Sequence, residues 1–291
     1  ANRAFDSAFS RIAELNQCCS DYDETTELSL LSQSSPHESP QQVSQDLFRV
    51  LQKGQQISSA TQGAFDVTVG PLTKLWRRAH RKRELPDKNR LAHAIEAVGY
   101  DLLKLHGPDG SVQLTRPDMR LDLGGIAKGY ALDAALAEIR QIGIRIALVN
   151  ASGDMVAGDP PPGTDGWKIG IAELNPTASP SHFGLLANRA IATSGDAFQH
   201  VVIDGTRYSH ILDPRTGLGL TERSSVSVLA DDGMTADAMA SAVSVMGPEK
   251  GLKFIQESDD VEVMVVVQNS KGAVETTKSP GFEKWIRRRP T

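Results

Sequence analysis

The run Leu121-Asp122-Leu123-Gly124-Gly125-Ile126-Ala127-Lys128-Gly129-Tyr130 reads as an apolar strand, a glycine turn and a helix start with a lysine in its first turn. Outward from it, the periodicity predicts a helix over Ala127 to Ile142, stopped by Gly143, and a buried strand over Arg145 to Asn150. Upstream, short strands are expected at Leu102 to Leu105, Ser111 to Leu114 and Arg120 to Leu123. Helices are expected at Ala4 to Cys19, with Phe5, Phe9, Ile12, Ala13 and Leu15 on or near one face, at Val43 to Gly54 and at Asn89 to Val98. The later part is strand-rich, with a helix from about Ala236 to Met246 that ends at Gly247-Pro248. Helices flanking a mostly mixed sheet make the class α+β or mixed α/β.

The 291 residues are 40% hydrophobic and 23% charged, which provides an ordinary core. The net charge of −5 argues against a nucleic-acid binder held by backbone electrostatics. The basic runs Arg77 to Arg83 and Arg287 to Arg289 read as a solvated helix end and a frayed terminus. Cys18 and Cys19 are neighbours, and two such thiols form neither a disulfide framework nor a zinc site. No apolar run reaches the ~18 residues of a membrane span.

Four constellations carry chemistry. At Gly124-Gly125, glycines let backbone N–H groups approach a ligand and permit positive φ. The helix start behind them and Lys128 then suit an anion such as phosphate. The order is neither a Walker loop nor a dinucleotide fingerprint. An exposed lysine after a simple turn is the plainer reading, with Asp122 orienting the turn.

In Thr235-Ala236-Asp237-Ala238-Met239-Ala240-Ser241, Thr235 can cap a helix. Asp237 and Ser241, spaced i, i+4, then offer a carboxylate and a hydroxyl on one face, which suits Mg²⁺. The plainer reading makes Asp237 a dipole partner and Ser241 a packing residue. In His210-Ile211-Leu212-Asp213-Pro214-Arg215-Thr216-Gly217, an imidazole, a carboxylate, a guanidinium and a hydroxyl share one segment. Arg215 can clamp a phosphate and His210 can act as a base or stack on a ring. The same residues also make an ordinary polar turn. Asp154, after Asn150-Ala151-Ser152-Gly153, is an Asx turn or a ligand carboxylate, and Thr193-Ser194-Gly195-Asp196 repeats that style. A phosphate site and a cation site together point to metal-assisted chemistry on a phosphate ester or anhydride.

In this order these stretches resemble the ApbE family, FAD:protein FMN transferases once described as thiamine biosynthesis lipoproteins. The resemblance also takes in Ser20-Asp21-Tyr22, Thr26 to Ser29, Gly63 to Leu72 and Gly247 to Gly251, and so spans nearly the whole chain. It implies an α+β fold with a T-fold-like mixed or antiparallel sheet core, flanking helices and an N-terminal helical part. Residues 1–291 would form a single catalytic domain, or two intimately packed lobes. It implies FAD as substrate, Mg²⁺ as cofactor, and a flavin-acceptor protein as partner. FMN would move onto a Thr or Ser hydroxyl with release of AMP.

Carried onto this sequence, Asp237, Ser241 and the Gly125 backbone oxygen match metal ligands. Lys128 with the Gly124-Gly125 turn matches the pyrophosphate site, and His210, Asp213, Arg215 and Thr216 match the active-site signature. Asp154 matches the acidic end of a Gly-Gly-Asp turn, and Phe65 and Asp66 match a flavin-lining segment. The resemblance also implies a periplasmic or cell-envelope location, with a lipid anchor on a leader ahead of Ala1. The chain departs from the family at Ser32, at Ser152, at Ala197 and at Leu218-Gly219-Leu220, which lacks a proline. Those departures keep two other outcomes open, an FAD pyrophosphatase and a protein that holds flavin without turnover.

Overall fold

The computed structural model describes the chain except residues 1, 108–109, 172–173, 175–178, 181, 196–198, 270 and 289–291. Most of the loop expected at Asn175 to Ser181, together with Ala197 and Arg289, therefore lies outside the described residues.

In chain order the first elements are α1 (Asn2–Cys19), α2 (Glu27–Gln33), β1 (Gln41–Gln42), α3 (Gln45–Ala60), α4 (Gly70–Lys82), α5 (Lys88–Glu96), β2 (Leu103–His106), β3 (Ser111–Leu114) and α6 (Ala127–Gln141). There follow β4 (Leu148–Ala151), β5 (Asp154–Ala157), β6 (Trp167–Ile171), β7 (His182–Leu186), β8 (Ala190–Gly195), β9 (His200–Ile203), β10 (Thr206–Ser209), β11 (Leu212–Asp213) and β12 (Leu218–Gly219). The last are β13 (Arg223–Ala230), α7 (Gly233–Met246), α8 (Pro248–Gln256), β14 (Glu262–Gln268), β15 (Val274–Lys278), α9 (Pro280–Trp285) and β16 (Ile286–Arg288). They fall into two compact units. The first comprises Ala1–Ile12, Lys128–Gln199 and Glu222–Thr291, and the second Ala13–Ala127 and His200–Thr221.

The first unit is built on a six-stranded sheet in the order β15-β14-β13-β8-β5-β4, every neighbouring pair antiparallel. Its central strand β13 is buried from Ser224 to Ala230, because both faces are covered. Leu229 joins Ile191, Met264, Val266, Phe282 and the strands β6 and β7 in one cluster. By the two-residue period of a strand, Val226 and Val228 point the other way, level with Val265 and Val263 of β14. That face meets α7, which packs on β8 and β13. Helix α7 is apolar nearly all round and rich in alanine, the pattern of a buried helix lying close to its neighbours.

The second unit holds α2 to α5, the small sheet β1-β3-β2 and the hairpins β9–β10 and β11–β12. Its core includes Leu72, Trp76 and Ala79 of α4 with Ala94, Val201, Ile203 and Leu212. The free thiols of Cys18 and Cys19 lie 3.6 Å apart.

Three expectations are corrected. Helix α1 buries Ala4, Ala8, Leu15 and Cys19, while Phe5 and Phe9 are exposed. The helical period is right, but the buried stripe is turned by one residue because small alanines, not the larger phenylalanines, face inward. Arg120 to Leu123 is not a strand. Arg120 makes an isolated parallel bridge to Val69, and the N–H groups of Leu121 and Asp122 go to Ser32 Oγ and the Val67 carbonyl. Leu121 and Leu123 are buried all the same. Finally, β4 is a partly exposed edge strand that begins at Leu148.

Candidate functional site

Four residues singled out in the sequence come together in the first unit. Helix α6 supplies Lys128 in its first turn, and β5 supplies Asp154, only 2% exposed, at its start. The Lys128 ammonium lies 2.6 Å from the Asp154 carboxylate. The other Asp154 oxygen accepts the Thr193 N–H at 2.9 Å, which fixes β5 to β8. Asp154 is therefore not an Asx turn. Asn150 braces the hairpin turn instead, its side chain accepting the Gly153 N–H at 3.2 Å.

The hairpin turn at Ser152-Gly153 has φ of 52° and 100°. Tight two-residue hairpin loops call for such left-handed backbone, and glycine fits it better than serine. Ser152→Gly is therefore expected to stabilise the protein by about 0.5–1 kcal/mol, glycine's greater freedom when unfolded offsetting part of the gain. A thermal melt checks this, and a lowered midpoint would contradict the turn assignment.

Helix α7 brings Asp237, 5% exposed, and one turn later Ser241. Asp237 Oδ2 accepts the Gly129 N–H of α6 at 3.0 Å, and Ser241 Oγ lies 3.2 Å from Ser194 Oγ of β8. Burial, with the nearby Asp154 charge, pushes the Asp237 carboxyl up to about 7, against the pull of Lys128. Burial by itself would lower the Lys128 ammonium, but the Asp154 and Asp237 carboxylates outweigh it and raise the group. Two buried carboxylates thus share one ammonium, and the centre is short of positive charge. Two hydroxyls and two carboxylates form a hard oxygen donor set, so these residues fit a divalent cation such as Mg²⁺ that keeps water and phosphate oxygens.

Several sequence assignments change here. Asp232, not Thr235, caps α7, its carboxylate accepting the Thr235 N–H and hydroxyl, each at 2.7 Å. The helix therefore begins at Gly233, and Asp237 lies a turn in from its end. Gly124 and Gly125 sit in the turn before α6, and neither has positive φ. Asp122 Oδ1 accepts the Gly124 N–H at 2.8 Å, so the aspartate orients this turn. Lys128 is an ion-paired group, not a lone cation at a helix start.

Residues missed in the sequence surround the centre. A Cβ on Gly129 would lie 2.0 Å from the Gly233 carbonyl oxygen, so α6 and α7 touch backbone to backbone. The Asp133 carboxylate accepts the N–H groups of Gly233 and Met234 at 2.7 and 3.0 Å. The one available signal is Gly129 and Asp133 at i, i+4 on the helix that carries Lys128.

The second unit carries the other constellation, built as a tight turn between β11 and β12. Asp213 grips Arg215 with both oxygens, at 2.8 Å to Nε and 2.9 Å to Nη2, and accepts the Arg215 N–H at 3.0 Å. The N–H groups of Thr216 and Gly217 return to the Asp213 carbonyl, while Trp76 Nε1 donates to the Gly217 carbonyl at 2.7 Å. The guanidinium is thus aimed by its own turn and stays more than half exposed (side chain 55%). His210, also exposed, directly follows β10 in the short connection into β11.

The Leu218 and Leu220 N–H groups donate to Thr216 Oγ1 and the Ile211 carbonyl, bonds that a proline would forfeit at either position. Ser32 is also accounted for, since its hydroxyl holds the Leu121 N–H at 3.0 Å. Phe65 and Asp66 are buried. Asp66 binds the N–H and hydroxyl of Thr68 at 2.8 and 2.7 Å, and burial raises its carboxyl.

The sequence pattern that describes the ApbE family matches residues 2–265 of this chain. The chain belongs to the ApbE family. Among its relatives, the FAD:protein FMN transferase of Vibrio cholerae is 33% identical over 273 residues, covering 92% of this chain and 80% of that protein. The enzyme of the same name from Haemophilus influenzae is 29% identical over 280 residues, covering 94% and 80%. Among solved structures, the flavin transferase ApbE from Vibrio cholerae superposes with a TM-score of 0.86 at 29% identity, over 98% of this chain and 91% of that one. The ApbE protein from Thermotoga maritima gives 0.87 at 28% identity, over 99% and 92%. The ApbE assignment thus covers the α+β fold over nearly the whole chain.

Proposed function

We propose that this chain is an Mg²⁺-dependent flavin transferase that moves FMN from FAD to a Thr or Ser hydroxyl of an acceptor protein and releases AMP. The observation that carries the reading is the half-exposed Lys128 ammonium on the buried Asp154, beside Ser241 and the buried Asp237, in a chain of the ApbE family. Lys128, aimed by Asp154, would meet the negative charge of the FAD pyrophosphate. Asp237 and Ser241 would hold the cation. When bound, Mg²⁺ supplies charge neutralisation at the phosphoryl oxygens.

In the reaction, the acceptor hydroxyl oxygen bonds to the FMN phosphorus, the anhydride bond breaks, and AMP leaves with its electron pair. The hydroxyl proton passes to a base, either His210 or a carboxylate. Arg215, held by Asp213, presents a fixed guanidinium that suits phosphate or ribityl oxygens. The nucleophile comes from the acceptor, which the enzyme would meet in the cell envelope.

Incubation with FAD and Mg²⁺ but no acceptor separates transfer from hydrolysis. The transferase reading expects FMN and AMP to form at least tenfold more slowly than AMP forms with acceptor present. Equal rates would make the chain an FAD pyrophosphatase. Intact FAD in every tube would make it a flavin-binding protein.

A further inference from the structure

We infer that Asp133 is a positioning residue of the cation centre, an inference that rests on the reading of Asp237 and Ser241 as cation ligands. Helices α6 and α7 are joined by reciprocal bonds. The Gly129 N–H, in the first turn of α6, reaches Asp237 on α7. Asp133, one turn further along α6, accepts the first two N–H groups of α7, those of Gly233 and Met234. These amides have no partner within their own helix. Each helix thus presents its N-terminal amides to a carboxylate on the other.

The bonds act along the helix axes, and the packing acts across them. A Cβ on Gly129 would stand 2.0 Å from the Gly233 carbonyl oxygen, and one on Gly233 would stand 2.6 Å from that of Gly129. The two backbones cannot approach further. A slip of α7 along α6 by one turn would break the bonds at Asp133 and Asp237 together. Lys128 precedes Gly129 directly, so the register that Asp133 fixes also sets where Asp237 and Ser241 stand relative to the ammonium. Asp232 caps the same end of α7, and among the described residues its carboxylate bonds to Thr235, within the helix's own first turn. It stabilises α7 without tying it to α6.

Mn²⁺ binding, followed by calorimetry or electron spin resonance on the whole protein, tests this with thermal melts in parallel. Asp133→Asn turns one acceptor into a donor facing an N–H, and is expected to weaken Mn²⁺ about tenfold or more, as loss of a group that orients a metal ligand does. Asp232→Ala, which removes the cap, is the control, expected to lower the melting point while leaving Mn²⁺ affinity within about twofold. If Asp133→Asn does not fold, Asp133→Glu keeps the charge, lengthens the link, and is expected to weaken Mn²⁺ in the same way. Wild-type affinity in the folded Asp133 variant, or equal loss in both variants, would overturn the positioning role. A wild-type protein that binds no Mn²⁺ even with FAD would instead overturn the cation-site reading, and this inference with it.

Discussion

Asp237→Asn is expected to abolish flavin transfer and yet raise the melting point of the metal-free protein. Loss of a charged group that organises the phosphoryl centre costs on the order of 10²–10³ in rate. The gain in stability comes from the same burial. The carboxyl titrates at about 7 in the fold against an ordinary value of 3.8, so folding favours its protonated form. Below the ordinary value the group is neutral in folded and unfolded chains alike, and its contribution is intact. As pH rises from about 4 through 7, the unfolded chain gives up its proton more readily than the folded one, and stability is lost. Above pH 7 the buried charge is fully present.

Asparagine keeps an acceptor for the Gly129 N–H and removes that charge. The variant is therefore expected to be more stable than wild type by roughly 1–3 kcal/mol at pH 8, with the advantage shrinking towards pH 4. Mg²⁺ is expected to raise the melting point of wild type, less so as pH falls below 7, and to leave the variant unmoved. Chemical denaturation at several pH values reads both effects. A variant that is less stable at pH 8 than at pH 5, relative to wild type, would mean that Asp237 is ionised without strain.

Gly129→Ala is expected to be the most damaging small substitution in the first unit. Its methyl would have to occupy the space of the Gly233 carbonyl oxygen, and neither the Cβ, fixed on its Cα, nor that backbone oxygen can rotate away. Overpacking of this kind costs about 3 kcal/mol or more. At roughly 2–4 °C per kcal/mol that is a fall of at least 6 °C in melting point. The shift would also pull the Gly129 N–H from Asp237, so Mg²⁺ stabilisation should weaken in whatever protein remains folded. A melting point within a degree of wild type would show that the two helices are not in backbone contact.

Local features of the chain are legible in its sequence. Helix α7 declares itself through its run of small residues, the i, i+4 pair Asp237 and Ser241, and the Gly247-Pro248 stop. The turn from Asp213 to Gly217 is legible as local chemistry, because its bonds close within a few residues. Features set by distant contacts are not. Nothing near Lys128 says that its partner is Asp154 on another element, or that Gly129 is small because Gly233 lies against it. Hydrophobic pattern also reports burial and not pairing. Leu121 and Leu123 are buried, as their alternation suggests, but their segment bonds to a side chain and a loop and not to a strand. In α1 the pattern gives the period but not the phase, since Ala4 and Ala8 carry less hydrophobic signal than the exposed Phe5 and Phe9.

The most direct test of the central claim is the stoichiometry of one reaction, FAD with a flavin-acceptor domain and Mg²⁺. AMP is counted by chromatography, and covalent flavin on the acceptor by in-gel fluorescence and intact mass. The account predicts one AMP for each flavin attached, no product with a chelator present, and none with Asp237→Asn. Flavin attached at an undiminished rate by Asp237→Asn, or in chelator, would contradict it.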